Sequence, residues 1–217
     1  MRAAVIGATG STGALVVDRL LAEGHEVVAI ARSPVPPRGP AARLIVRQGD
    51  PTDAAFLADT LGGCDAVISC LGQNRKSKSL FAARTSPPDL LRTVARATLR
   101  ALGSSQAHYV YLSAFGVGED MARHAWLFRL ILRLSPVRDA YLDHAEAERA
   151  IRASGTRWTI VKPPGLTDAD REVALVDKST HWSSFETVSR RSLAACLVAC
   201  AQDASTAGRS MTVGEPG

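Results

Sequence analysis

Lysine is nearly missing from this chain: it stands only at positions 76, 78, 162 and 178, so the formal charge of +5 rests on arginine. The arginines are spread along the chain rather than massed in one stripe, and aromatic residues make up only 5% of it. The basic groove and stacking platform of a nucleic-acid binder are therefore not expected. Tyrosine occurs at 109, 111 and 141, and none has a lysine four residues on. That excludes a Tyr-x-x-x-Lys pair, in which the cation lowers the phenol's pKa so that it exchanges a proton at neutral pH. Cys64, Cys70, Cys196 and Cys200 lack Cys-x-x-Cys spacing and read as reduced, structural side chains, and no metal site is expected. No apolar run reaches the roughly 18 residues of a membrane span. Repeats and low-complexity tracts are absent, and Pro34 to Pro40 reads as a stiff connection. The remainder, 217 residues of which 46% are hydrophobic and 22% charged, fits one globular domain. The first strand begins at once, so no targeting segment is expected and the protein reads as cytoplasmic.

What is present is concentrated at the start. Ala3-Ala4-Val5-Ile6 runs into Gly7-Ala8-Thr9-Gly10-Ser11-Thr12-Gly13, and Leu15, Val16, Leu20 and Leu21 then form the stripe of a helix ending near Gly24. His25 to Ile30 reads as a second buried strand. Glycines between strand and helix let backbone approach a pyrophosphate, while free N–H groups and the helix dipole offset its charge, so a dinucleotide site is expected here. The spacing Gly-x-x-Gly-x-x-Gly departs from the standard Gly-x-Gly-x-x-Gly, and it is the strand-turn-helix-strand context that gives the motif its weight. After the second strand come Ala31-Arg32-Ser33. An NAD site usually places a carboxylate there; Arg32, with no carboxylate competing, matches a 2′-phosphate and favours NADP(H).

Strand and helix keep alternating. Leu44 to Val46 leads to Gly49-Asp50, followed by a helix at 54–61 and a strand at 66–69. A helix at 88–102, a strand at 108–112, a helix at 140–153 and a strand at 157–161 come next, then a helix at 189–201 and a closing strand at 210–213. This order predicts an α/β protein: a single-domain Rossmann fold over 1–217, with a doubly wound, mostly parallel sheet and helices on both faces. Small substrate-side elements are expected at about 114–140 and 165–188.

Ligands bind such sheets beyond the carboxyl ends of the strands. Gly7, Thr9, Gly10, Ser11, Thr12, Gly13, Arg32, Asp50, Leu71, Gly72, Ser113, Pro163 and Pro164 follow strands and are the candidate cofactor residues. Asp50 can accept from an adenine amino group or serve as turn chemistry. Pro163-Pro164 can wall the nicotinamide or simply end its strand. His144 can project from its helix into the site, or pair on the helix surface with Glu148.

Gly7-Ala8-Thr9-Gly10-x-x-Gly13, Arg32-Ser33-Pro34, Gly49-Asp50, Ser113-Ala114-Phe115, Ser154-Gly155 and Trp158-Thr159-Ile160-Val161-Lys162-Pro163-Pro164-Gly165 together resemble the atypical short-chain dehydrogenases. Within these the chain is similar, over nearly its whole length, to the NAD(P)-binding, NmrA-like group that includes flavin- and biliverdin-reducing enzymes. The resemblance implies that Ser113 lies beside the nicotinamide and His144 in the acceptor pocket, the two candidate catalytic residues. Gly165 stands where the bilin-reducing members carry a second pocket histidine, which argues against biliverdin as substrate.

Without a tyrosine–lysine pair, the expected reaction is hydride transfer from NADPH to a small acceptor such as a flavin or quinone, which needs mainly orientation. The alternative is a non-catalytic NADP-binding regulator of the NmrA type that senses redox state through a protein partner. The expected partners are a small-molecule acceptor, with no nucleic acid and no membrane insertion, in a monomer or homodimer. Trp126 to Leu134, with Arg129 and Arg133 one turn apart, can be a lid or packing helix, a dimer contact or a membrane-surface helix, the first being the more economical. Asn74 to Lys78 can meet a phosphorylated acceptor or form a solvated loop.

If Arg32 holds the 2′-phosphate, Arg32→Ala weakens NADPH binding by about 1.5–3 kcal/mol and spares NADH. Titrating both nucleotides into both proteins checks this, and equal losses would remove Arg32 from that role.

Overall fold

The computed structural model describes residues 1–36, 41–73, 85–123, 126–135, 137–178 and 186–216. Asn74 to Lys78 therefore lies outside the described residues, as does the end of the proline-rich connection. The elements in chain order are β1 (Arg2–Ile6), α1 (Ser11–Ala22), β2 (Glu26–Ala31), β3 (Leu44–Gln48), α2 (Ala54–Leu61), β4 (Ala66–Ser69), α3 (Leu90–Leu102) and β5 (His108–Leu112). A short 3-10 helix, Gly118–Arg123, and α4 (Trp126–Leu134) follow, then α5 (Val137–Arg152) and β6 (Arg157–Lys162). The chain closes with β7 (Gly165–Thr167), β8 (Val176–Asp177), β9 (Thr187–Ser189), α6 (Arg190–Gln202) and β10 (Arg209–Gly214).

Eight strands form one sheet in the order β3-β2-β1-β4-β5-β6-β10-β8, parallel throughout except where β8 runs antiparallel along β10. The order reverses between β1 and β4, which opens a crevice at the carboxyl end of β1. The expected doubly wound sheet is present. The strands are buried on both faces, so they read as continuous apolar runs rather than alternations. Their side chains still alternate in destination. Ala3 and Val5 of β1 face α1 and α6 with Val16, Leu20 and Leu197, while Ala4 and Ile6 face α2, α3 and α5 with Leu57, Val94 and Ile151.

The structure moves two expected helix starts by two residues or more. α3 begins at Leu90 rather than 88, and α5 begins at Val137 rather than 140. The first shift has a cause in packing. Asp89, the residue at the N-cap of α3, makes no capping hydrogen bond. The carboxylate of Asp143, from the middle of α5, does that work instead, accepting the Leu91 N–H at 2.8 Å and the Arg92 N–H at 3.1 Å. Asp143 is fully buried, and the otherwise unpaired donors of a helix N-terminus meet its carboxylate. Between β6 and α6 the chain adds a two-stranded parallel pair, β7 with β9, which the sequence reading had grouped only as a small element at 165–188.

Asp143→Ala leaves those two N–H groups buried without an acceptor and is expected to cost about 2 kcal/mol or more in stability. Urea denaturation measures the loss, and Asp143→Asn should recover part of it.

Candidate active site

The glycine turn is shaped by contact with its own helix. Gly7 has φ +84°, a conformation that side chains other than glycine's rarely adopt, and a Cβ there would lie 3.0 Å from Leu71 Cδ2. Gly13 is tighter still: a Cβ would fall 2.2 Å from the Gly7 carbonyl oxygen, so α1 can seat on the turn only with hydrogen at that position. Gly10 is the N-cap of α1 and has no side chain to occupy the first-turn N–H groups. The Gly7 and Ala8 N–H groups are used up on Ile30 O, at 3.0 and 3.2 Å, which binds the turn to the end of β2.

Three strand ends meet at this point. Gly7, Thr9 and Gly10 after β1, Arg32 and Ser33 after β2, and Cys70, Leu71 and Gly72 after β4 line a cavity of about 260 Å³. Six of the expected cofactor residues therefore share one cavity: Gly7, Thr9, Gly10, Arg32, Leu71 and Gly72. Ser11, Thr12 and Gly13 form the first turn of α1 beside it. Arg32 is exposed, and its carbonyl accepts from Gln48 Nε2 at 3.1 Å. Asp50 is not part of the lining; its neighbour Pro51 is, and Asp50 Oδ1 accepts the Thr52 N–H at 2.9 Å, closing a turn. The Cys70 thiol also borders the cavity, and full burial pushes its pKa up to about 12, so it remains protonated.

Ser113, His144, Pro163 and Pro164 gather at a second centre, past the ends of β5 and β6. Pairing continues beyond both strands, with the Ser113 N–H on Val161 O and the Phe115 N–H on Pro163 O, each at 2.9 Å. The Ser113 hydroxyl donates to Glu148 Oε1 at 2.6 Å. Glu148 Oε2 lies 2.8 Å from Arg152 Nη2 and 3.1 Å from Lys162 Nζ, close enough for charge pairing although neither contact is aligned as a hydrogen bond. Lys162 also donates to Asp120 Oδ2 at 2.7 Å and to the Val117 carbonyl at 3.2 Å. Glu148 and Lys162 are both essentially excluded from water, so each charge depends on the other.

His144 is buried, not on the helix surface, and its contact is with Tyr111 rather than Glu148: Tyr111 Oη and His144 Nδ1 are 2.9 Å apart. Burial, with a smaller push from the Lys162 charge, brings the His144 pKa down to about 4. Burial raises that of Tyr111 well above the usual phenol range. The two therefore meet as neutral imidazole and phenol at physiological pH. Such an imidazole offers a hydrogen bond; it does not store a proton for delivery.

Sequence reasoning missed Glu148 and Asp143 as site and scaffold residues and named Lys162 only within the segment that carries the family resemblance. A signal was present. Asp143, His144, Ala147, Glu148 and Ile151 are spaced along one buried face of α5, so two acids and an imidazole occupy core positions.

A parallel sheet with a reversal in strand order, and a glycine turn seated on a helix N-terminus at that reversal, define a dinucleotide-binding Rossmann protein. The NAD(P)H-binding family profile matches residues 7–204, and the chain belongs to that family. Among curated relatives it is 29% identical over 215 residues to the oxidoreductase AgnL4 of Paecilomyces divaricatus, covering 92% of this chain and 79% of that one. It is 28% identical to the chloroplastic divinyl chlorophyllide a 8-vinyl-reductase of Zea mays, where 98% of this chain spans only 54% of the relative. Among solved structures, the oxidoreductase ylbE of Lactococcus lactis superposes with a TM-score of 0.79 at 17% identity, covering 100% of this chain and 91% of that one. ChuY, an anaerobillin reductase from Escherichia coli O157:H7, does so with 0.76 at 18%, covering 100% and 98%. These structural likenesses establish the shared fold. Among the described residues no helix is long and apolar enough to cross a membrane.

The lowered His144 pKa has a stability consequence of definite sign. Above pH 6.5 the ring is neutral whether the chain is folded or unfolded, and it adds no penalty. As pH falls from 6.5 toward about 4 the unfolded chain takes up the proton first, so about 3 kcal/mol of stability is lost across that window. Urea midpoints across this range should fall for the native protein and fall less for His144→Gln.

Proposed function

We propose that the protein is an NADPH-dependent reductase of the atypical short-chain dehydrogenase type that passes hydride to a small acceptor such as a flavin or quinone. The observation that carries this reading is the buried Ser113–Glu148–Lys162 cluster next to the Tyr111–His144 pair, at the same strand edge as the glycine cavity. The residues present fit the cofactor: a cavity lined by Gly7, Gly10 and Gly72, an uncapped helix N-terminus and an exposed guanidinium at the end of β2. Bound NADPH supplies the hydride.

The chain's own residues have few chemical duties in such a reaction. Gly7 to Gly13 and Arg32 hold the two phosphate regions. Ser113, fixed by its hydrogen bond to Glu148, would hold the nicotinamide ring in place beside it. Pro163 and Pro164, paired to the Ser113–Phe115 segment, form a rigid wall that limits where the ring can lie. His144 is neutral and orients the acceptor by a hydrogen bond, so the proton that completes the reduction comes from water. The absence of a Tyr-x-x-x-Lys pair fits hydride transfer to an acceptor that solvent can protonate. The curated oxidoreductase and reductase relatives support the same reaction class.

The test follows nicotinamide absorbance with purified protein, NADPH, and FMN, riboflavin and quinones as acceptors, with Ser113→Ala and His144→Ala alongside. Turnover by the native protein that falls about tenfold or more in either variant is the expected result. Tight NADPH binding with no turnover on any acceptor would favour the redox-sensing regulator.

A further inference from the structure

A second and larger cavity, about 750 Å³, opens between α4, α5 and the 3-10 helix at 118–123. Its volume is that of a small-molecule site. Trp126, Leu130 and Leu142 line it and are unusually exposed for their size, at 69%, 45% and 51%. Three arginines, Arg129, Arg133 and Arg138, share the lining, and no carboxylate does among the described residues. Elsewhere the chain often neutralises its arginines: Arg19 meets Glu23 and Glu172, Arg152 meets Glu148 and Arg190 meets Asp168. Arg133 and Arg138 have no such partner among the described residues, and Arg129 donates to the Ala122 carbonyl at 3.5 Å.

The cavity adjoins the buried cluster. A Cβ at Gly118, on its lining, would sit 4.0 Å from Glu148 Oε2, and Tyr141, also on the lining, lies one helical turn before His144 on α5. We infer that this cavity is the acceptor's binding site, and that it takes a ring-bearing apolar molecule with an anionic group, carboxylate or phosphate, held by Arg133 and Arg138. The inference rests on the reductase reading for the word acceptor alone; the binding claim stands without it. Apolar walls supply contact area that is indifferent to ring identity, and unpaired guanidiniums give the anion charge-assisted hydrogen bonds. A neutral ring of equal size gains the first contribution and forgoes the second. An anionic membrane surface would also suit exposed apolar side chains beside arginines, but Trp126 and Leu130 here line a concavity, which fits a molecule that enters it.

The experiment is a fluorescence titration of pyrenebutyrate and its neutral twin pyrenebutanol into the full chain without NADPH, repeated with R133Q/R138Q. The native protein should bind the butyrate about tenfold or more tightly than the alcohol, and the double variant should bind both alike while keeping native NADPH affinity and thermal stability. Steady-state kinetics with FMN and riboflavin, which share a ring and differ by one phosphate, separate the two anion sources. A rise in KM for FMN alone assigns phosphate; butyrate discrimination without that rise assigns carboxylate. Equal binding of the two pyrenes by the native protein, or discrimination that survives in the double variant, overturns the inference. So does uptake by phosphatidylcholine/phosphatidylglycerol vesicles that depends on the two arginines while the pyrenes are not distinguished; that would make the surface a membrane contact. Anion-selective binding without any NADPH oxidation would sink the reductase reading and leave the site standing.

Discussion

A carboxylate shut away from water, that of Glu148, is the constraint around which the functional half of the molecule is arranged. Moving such a charge out of solvent costs several kcal/mol unless opposite charge and donors meet it. Here Ser113 comes from the end of β5, Lys162 from the end of β6 and Arg152 from one turn further along α5, with Asp120 balancing the second face of Lys162. Glu148 and Lys162 are both buried, so neither can be withdrawn without leaving the other short of its opposite charge. The ends of β5 and β6 are thereby fixed by electrostatics as well as by backbone pairing.

α5 is the element through which these demands pass. Within three turns it carries Tyr141 at the arginine-lined cavity, Asp143 at the start of α3, His144 against Tyr111, and Glu148. An ordinary amphipathic helix places apolar side chains toward the sheet and polar ones toward water. This one keeps Ala147 and Ile151 for the sheet and carries Asp143, His144 and Glu148 on the same buried face.

The fold was legible because its signals are local. Strand, glycine turn, helix and strand follow one another in the first thirty positions, and the later strands are short apolar runs ended by turn residues. The glycine cavity was legible for the same reason, since Gly7, Arg32 and Leu71 each follow a strand and parallel strands bring their carboxyl ends to one edge. The charge network was not. His144 and Glu148 at i and i+4 are the spacing of a surface pair, and only packing shows that each instead meets the sheet, His144 at Tyr111 on β5 and Glu148 at Ser113 just past its end. Asp143 could not have been assigned as a cap, because the donors it accepts from lie 52 and 51 residues earlier. The shift of α5 to Val137 and the β7–β9 pair escaped for a related reason: both lie where periodicity is weak and tertiary contact decides.

That remote cap bears on the order in which the chain can become native. A helix that carries its own capping side chain can complete its first turn as soon as it is synthesised. α3 cannot, because the acceptor for its leading donors is contributed by α5, with all of β5 and α4 in between. The start of α3 and the middle of α5 consequently open and close as one cooperative unit, and amide protons at Leu91 and Arg92 should exchange with solvent at the rate set by undocking α5 rather than by fraying of α3.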